Sequence, residues 1–186
     1  RFLAERRWTT LDAARTELAL RARTLHDALG DRDREVMLWF EHDLYDQLQL
    51  AQVLDVIARH PNRVARIRVV HADDHLGRAT PDRLHSWHTL AHDLTEAELE
   101  AGHAAWDAFR APDPRPLDVL ASTTRTAALP HMRAALQRLI EELPGRADGL
   151  ARSERQALTA VAAGARTDIE AFEACAAMEP AIYLGD

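Results

Sequence analysis

The sequence contains no lysine, a single cysteine and only three serines. All 23 of its basic residues are arginine, and 30 acidic residues give it a formal net charge of −7. We interpret the arginine-only usage as the signature of a GC-rich genome rather than of a function. The lone Cys175 excludes a disulfide framework within the chain and a cysteine-rich zinc site. Because serine is scarce and no Gly-x-Ser-x-Gly motif occurs, a serine hydrolase is not expected.

Long hydrophobic runs are also missing. No stretch of about 18 apolar residues occurs, so the sequence predicts no membrane span and no membrane partner. Nothing at the start of the chain resembles a secretory signal, and we expect a cytoplasmic protein. The chain has 186 residues, of which 47% are hydrophobic and 28% charged. This composition is typical of a folded globular protein rather than of a disordered one.

Residues 36–70 carry the clearest fold signal. Residues 36–40 are apolar without alternation, which predicts a strand buried on both faces. Residues 44–59 have helical apolar spacing behind Asp43, a natural N-cap. In residues 64–70, arginines alternate with apolar residues. This pattern predicts a strand that has one solvent-exposed face or lies at a sheet edge. The three segments predict a βαβ unit with parallel strands.

The rest of the chain is predicted to be helical. A helix over residues 10–29 precedes the βαβ unit, and no convincing strand follows residue 71. Later helices are expected over residues 81–87, 96–109, 117–122, 130–143, 154–163 and 168–178, with Thr95, Ser153 and Thr167 as N-caps. The fold class is therefore α/β, with a small parallel sheet, a helix-rich region and a helical C-terminal module.

A linker is predicted at residues 144–149, which gives an α/β domain over residues 1–143 and a helical module over residues 150–186. A parallel sheet of two strands is too small to cover itself, yet the strand at residues 36–40 has the composition of a central one. We therefore expect further strands before Arg1, or strands that another chain supplies.

Polar side chains follow both predicted strands. The carboxyl ends of parallel strands lie at one edge of a sheet, and ligands of open α/β sheets bind there. The sequence therefore predicts a pocket for a small polar ligand, or an enzymatic site, after the first strand at residues 41–47. The ionisable residues expected near this crevice are Glu41, His42, Asp43, Asp46, Asp73, Asp74 and His75.

Within this pocket, His42 and Asp43 are the candidate catalytic residues, with His42 as the proton-transfer group. The candidate ligand-binding residues are Glu41, Asp46, Gln47, Asp73 and Asp74. The carboxylates could hold a divalent cation, but we assign no metal ligands, and the cofactor is unknown. The alternative is that Asp43 only caps a helix and that Asp46 only interacts favourably with the dipole of that helix. The remaining residues would then form a solvated loop. The carboxylates and the lack of a Gly-rich loop argue against a phosphate site.

Ten histidines are a high number for this length. His85, His88 and His92 have the spacing of one helix face, provided that a helix continues through residue 92. Zinc can bind to such a face, but the spacing matches no known zincin pattern. An exposed helix face is the simpler interpretation.

Residues 150–178 have the outline of a helix-turn-helix, with Gly164 in the turn. This outline gives the alternative function, a regulatory or interaction protein linked to transcription. From Pro144 to the end, however, four arginines stand against seven acidic residues. The second helix carries three acidic residues and no basic one, so nucleic-acid binding by this chain is not expected.

Residues 38–50, Leu-Trp-Phe-Glu-His-Asp-Leu-Tyr-Asp-Gln-Leu-Gln-Leu, resemble the signature of the bacterial domain of unknown function 1835 family. Weaker similarities to this family occur at residues 76–77, 105–109, 112–114 and 129–130. Residues 149–156 and 183–186 resemble its C-terminal companion, domain of unknown function 3658. The resemblance implies a further N-terminal segment with a strand and a Gly-Asp-Ser-like turn, and it carries no established activity. It also implies variable residues at the positions of His71 and His75, which argues against a metal there.

Overall fold

A computed structural model describes residues 9–184, which form three strands and eight α-helices. The strands are β1 (Glu35–Phe40), β2 (Arg66–His71) and β3 (His92–Asp93). The helices are α1 (Leu11–Leu29), α2 (Leu44–Ala58), α3 (Pro81–Thr89), α4 (Glu96–Arg110), α5 (Arg115–Ala121), α6 (Met132–Ile140), α7 (Arg152–Ala162) and α8 (Asp168–Ala177). A short 3-10 turn covers Leu76–Arg78.

The sheet has the order β1-β2-β3. Strands β1 and β2 are parallel, with Phe40 paired to His71 at their carboxyl ends, and α2 connects them. The predicted α/β fold, with its βαβ unit and its helical C-terminal region, is therefore confirmed. The expectation that no strand follows residue 71 is wrong, because β3 pairs antiparallel to β2 and makes the sheet mixed. Two residues are too few to produce a recognisable alternation in the sequence.

The roles of the first two strands are exchanged relative to the prediction. Strand β2 has a neighbour on each side, whereas β1 pairs only with β2 within residues 9–184. Only Leu38 of β1 is buried, so the prediction that this strand is buried on both faces is wrong. The predicted solvent-exposed face of β2 is present, because Arg66 is exposed and pairs with Asp93 at 2.8 Å. A strand before Arg1 would lie outside the described residues.

The core lies between the sheet and helices α2, α4 and α6. Leu50, Leu54 and Ile57 of α2 are completely buried, and α4 crosses them. Gly102 of α4 makes this close approach possible. A Cβ atom on Gly102 would lie 2.5 Å from both Cβ and Cδ1 of Leu54, closer than packed carbon atoms come.

Gly102→Ala is therefore expected to lower the free energy of unfolding by about 1–3 kcal/mol through overpacking. Helix propensity alone would favour alanine by about 1 kcal/mol, so the sign of the change is diagnostic. Gly77→Ala is the control, because a Cβ atom there has no neighbour within 4 Å. Urea unfolding of the two variants measures the difference, and a stabilised Gly102→Ala protein would contradict this packing.

Several helix ends follow their local signals. Asp43 caps α2 by accepting hydrogen bonds from the N–H groups of Tyr45 and Asp46. Thr95 and Glu98 form the predicted capping box of α4, and the Thr167 cap of α8 is also present. The predicted Ser153 cap is wrong, because α7 begins at Arg152 with Ala151 as its N-cap. The Ser153 hydroxyl instead donates to Glu142 at 2.7 Å, so its preferred partner is in another part of the chain.

The histidine face that would require a helix through residue 92 does not form. Helix α3 ends at Thr89, and His92 lies in β3, away from the exposed His85 and His88. The Leu90 backbone N–H already closes the last turn of α3 onto His88 and Trp87. The sheet pairing of His92 with Val69 therefore replaces the helical continuation.

Arg138 of α6 joins the C-terminal helices to the rest of the fold. Its side chain is 8% exposed and contacts Glu179, Ser153 and Tyr183, in addition to an ion pair with Glu142. Its Nη2 atom lies 2.7 Å from Glu179 Oε1 and 2.9 Å from Tyr183 Oη. The domain boundary at residues 144–149 stays a prediction.

Candidate functional site

An open cleft of about 810 Å³ lies between the carboxyl ends of β1 and β2 and the C-terminal region of the chain. One wall comes from the residues that follow the two strands, and the other comes from α8 and residues 182–184. The lining residues are Glu41, Asp43, His75, Gly77, Arg78, Phe172, Glu173, Ala176, Ala177, Ile182, Tyr183 and Leu184.

Glu41 and His75 form the centre of the strand-end wall. Glu41 Oε2 lies 2.9 Å from His75 Nδ1, and Glu41 Oε1 accepts a hydrogen bond from the Leu76 N–H at 2.7 Å. Both carboxylate oxygens are therefore occupied, and the carboxylate orients the imidazole. Within residues 9–184, His75 Nε2 forms no hydrogen bond. Such a carboxylate–imidazole pair leaves one ring nitrogen available for a proton or a ligand.

Asp43 lies beside this pair and has two roles available. It is 7% exposed, and its Oδ1 atom accepts the capping hydrogen bonds of α2. One ligand atom each from Glu41, Asp43 and His75 lie within 4.8 Å of one another. The helix cap, which the sequence offered as the alternative to a functional role, is therefore present, and the same carboxylate also lines the cleft.

Asp46 and Gln47 hold the backbone of Glu41 rather than lining the cleft. Asp46 Oδ2 accepts a hydrogen bond from the Glu41 N–H at 2.6 Å, and the buried Gln47 donates to the Glu41 carbonyl at 2.7 Å. Burial raises the pKa of Asp46; the bond from the Glu41 backbone lowers it, and nearby Asp43 raises it again. These two side chains are positioning groups for Glu41.

His42 points away from this cleft. It lines a smaller cleft of about 190 Å³ together with Arg138 and Glu179, and its buried Nδ1 atom has no hydrogen-bond partner among residues 9–184. Its ring centroid lies 5.3 Å from that of His75 and 6.0 Å from that of His131. Burial lowers the pKa of His131, and the neighbouring His42 lowers it further.

Asp73 and Asp74 do not line the cleft either. The Asp73 carboxylate accepts hydrogen bonds from Trp87 Nε1 at 2.8 Å and from Arg83 at 2.6 Å, both on α3. The Trp87 bond is the main reason why the pKa of Asp73 is lowered. Asp74 is exposed and accepts a hydrogen bond from the His75 N–H. Of the seven ionisable residues predicted near the crevice, the structure thus places three, Glu41, Asp43 and His75, in the wall of this cleft.

Sequence reasoning missed the opposite wall. Phe172, Glu173 and Tyr183 reach the cleft from the C-terminal region, and Arg78 comes from the 3-10 turn. No local pattern marks these residues as part of a site, because their proximity to Glu41 depends on how α8 and the chain end pack. The Tyr183 ring packs against Tyr45 with centroids 5.0 Å apart, which fixes that wall to α2.

A second polar cluster, formed by His71, His92 and Glu98, is likewise not predicted from the sequence. It joins the end of β2 to β3 and to α4. Glu98 Oε1 lies 3.0 Å from His71 Nε2 and 2.9 Å from His92 Nε2. Its Oε2 atom accepts hydrogen bonds from the Thr95 N–H and hydroxyl. Burial raises the pKa of Glu98, but the hydrogen bonds from His71, Thr95 and His92 outweigh burial and lower it to about 2. The histidines of this cluster come from β2 and β3, so no sequence spacing could reveal it.

Comparison with models of protein families, with curated proteins and with solved structures finds no match. The resemblance to the domain of unknown function 1835 family therefore stays a prediction. Within residues 9–184, no helix combines the length and the apolar character needed to cross a membrane.

Proposed function

We propose that this chain binds a small polar ligand in the cleft formed by the ends of β1 and β2 and by α8. The observation that carries the proposal is the Glu41–His75 pair, whose imidazole is oriented by a carboxylate and whose Nε2 atom is unpaired within the described residues. The pair lines an open cleft of about 810 Å³ at the sheet edge where open α/β folds bind ligands.

The charges around the cleft favour a ligand with a cationic or hydrogen-bond-donating group. Glu41, Asp43 and Glu173 line it, against the single guanidinium of Arg78. A phosphate would meet three carboxylates and is disfavoured. The apolar side of the cleft, formed by Phe172, Ile182 and alanines of α8, suits an aliphatic or aromatic portion of the same ligand.

His75 is the group best placed for proton transfer if the bound ligand reacts. Its Nδ1 atom faces Glu41, so its Nε2 atom can accept or donate a proton towards the cleft. His42, which we predicted for this role from the sequence, faces the smaller cleft instead. Asp43 would then orient the ligand and cap α2 at the same time.

A thermal-shift panel tests the proposal. The wild-type protein and Glu41→Gln are screened, with EDTA present, against amines and amino acids, nucleotides, and small acidic metabolites. We expect an amine-bearing compound to raise the Tm of the wild-type protein. The same compound should leave the Tm of Glu41→Gln unchanged, because the amide is uncharged and has one acceptor oxygen for the two donors of His75 and Leu76.

Asp74→Asn is the matched control, since Asp74 is an exposed carboxylate outside the cleft. It should keep the full shift. If no compound changes the Tm of the wild-type protein, or if Glu41→Gln responds as the wild type does, the proposal is contradicted.

A regulatory or interaction role is the second candidate. Leu158, Val161 and Ile169 of the C-terminal helices are between 57% and 68% exposed, as a contact surface for another protein would be. A cytoplasmic location in a bacterium belongs to the proposal as well; it is supported by the near absence of cysteine and by the family resemblance.

A further inference from the structure

We propose that His71, His92 and Glu98 form a binding site for a divalent transition-metal ion of the zinc type. The site is separate from the cleft, and the inference does not rest on the proposed function. Its three ligand atoms are the two Nε2 nitrogens and Glu98 Oε1, which lie within 4.8 Å of one another.

The spacing of these atoms suits a small ion. Zinc forms bonds of about 2 Å to imidazole and carboxylate, which places the ligand atoms of a tetrahedral site roughly 3.3 Å apart. The two Nε2 atoms lie 3.0 and 2.9 Å from Glu98 Oε1. An outward movement of a few tenths of an ångström would bring both of these distances to the spacing of a tetrahedral site.

The ligands are held by three separate elements. His71 ends β2, His92 is fixed beside it by the pairing of β3 with Val69, and Glu98 belongs to the capping box of α4. The second oxygen of Glu98 is already occupied by hydrogen bonds from Thr95 at 2.7 and 2.8 Å, so its first oxygen is directed at the two imidazoles. Such supporting hydrogen bonds are typical of metal-ligating carboxylates.

The charge of the cluster also favours a cation. The side chains of Glu98 and His71 are 3% and 9% exposed. Within residues 9–184, Glu98 forms ion pairs only with His71 and His92, and no arginine compensates it. With neutral imidazoles, the cluster buries one uncompensated negative charge, which a divalent ion would neutralise.

The accessibility of the cluster and the types of its ligand atoms indicate which metal ion it would bind. The His92 side chain is 47% exposed and leaves the cluster open on one side. Two nitrogens and one oxygen suit zinc and its transition-metal neighbours better than calcium or magnesium, which prefer oxygen ligands. The Nδ1 atom of His71 has no partner in the described part of the chain. Because that supporting bond is missing, we expect a dissociation constant on the order of micromolar rather than nanomolar.

Calorimetric titration of Zn²⁺ alone into the untagged, chelator-treated full chain tests the site. We expect one equivalent to bind, and binding to weaken more than about 100-fold in His92→Ala and in Glu98→Gln, since a lost ligand matters more than a lost supporting bond. Glu98→Gln preserves the capping box, because glutamine also serves at that position. Circular dichroism confirms that both variants are folded.

Two control variants separate this site from the other histidines. His85→Ala removes an exposed histidine of α3, and Glu41→Gln removes the carboxylate of the cleft; both should bind Zn²⁺ as the wild type does. Absence of binding to the wild-type protein would overturn the proposal. It would equally be overturned if His92→Ala and Glu98→Gln retained wild-type affinity, or if Glu41→Gln alone lost it.

Discussion

Arg138→Met is expected to lower the free energy of unfolding by about 3–5 kcal/mol. The guanidinium of Arg138 is 8% exposed and contacts the carboxylate of Glu179, which is 3% exposed. It also donates to Ser153 and Tyr183 at 2.9 Å. Methionine fills a similar volume but leaves the buried carboxylate of Glu179 without its main counter-charge. Urea unfolding measures the loss.

Two further variants assign the effect to this ion pair. Arg133→Met removes an exposed arginine from the same helix and should change the stability by no more than about 0.5 kcal/mol. The double variant Arg138→Met/Glu179→Gln should be more stable than Arg138→Met, because it no longer buries an unpaired charge. Equal stabilities of Arg138→Met and Arg133→Met would contradict the account.

The contacts of Arg138 also hold one wall of the candidate cleft in place. Tyr183 and α8 form the far wall of the cleft, and Arg138 holds Tyr183 through its hydroxyl. Loss of Arg138 should therefore weaken ligand binding although the side chain does not line that cleft. Arg138 is thus a positioning residue of the candidate site.

Acidification is expected to remove a contribution of roughly 3 kcal/mol from Glu98. The hydrogen bonds that outweigh burial lower its pKa from 4.5 to about 2, and a difference of this size corresponds to roughly 3 kcal/mol. Because the folded pKa is the lower one, the contribution is complete above pH 4.5. It is lost as the pH falls from 4.5 to about 2.

Urea unfolding at a series of pH values, with EDTA present, tests this dependence. Glu98→Gln lacks the titrating carboxylate and should lose less stability than the wild type between pH 4.5 and 2. Glu100→Gln, on the same helix and exposed, should keep the wild-type slope. Parallel curves for the wild type and Glu98→Gln would show that Glu98 is not held in its ionised form.

Features that depend on a few neighbouring residues could be predicted from the sequence. The Asp43 cap, the Thr95 capping box and the βαβ unit all arise from local spacing, and the structure contains each of them. The position of Glu41 at a strand end was predicted by the same reasoning. Of the residues predicted for the crevice, these features place Glu41, Asp43 and His75 at the cleft, whereas the others lie elsewhere.

Features that depend on contacts between residues far apart in the chain could not be predicted from the sequence. Ser153 has the sequence context of a cap, but its hydroxyl bonds to Glu142 of the preceding helix region instead. His92 continues a helical spacing, but pairing with β2 removes it from the helix. Asp73 lies after the second strand as predicted, yet Trp87 and Arg83 draw its carboxylate to α3. In each case a partner elsewhere in the chain outweighs the local pattern.

The affinity of the strongest compound from the thermal-shift panel for the wild type, His75→Ala and His85→Ala tests the central claim most directly. The account predicts that His75→Ala binds at least about 10-fold more weakly, the effect of losing roughly 1.4 kcal/mol, and that His85→Ala binds as the wild type does. Equal affinity in all three proteins, measured by calorimetry, would contradict a ligand site built on the Glu41–His75 pair.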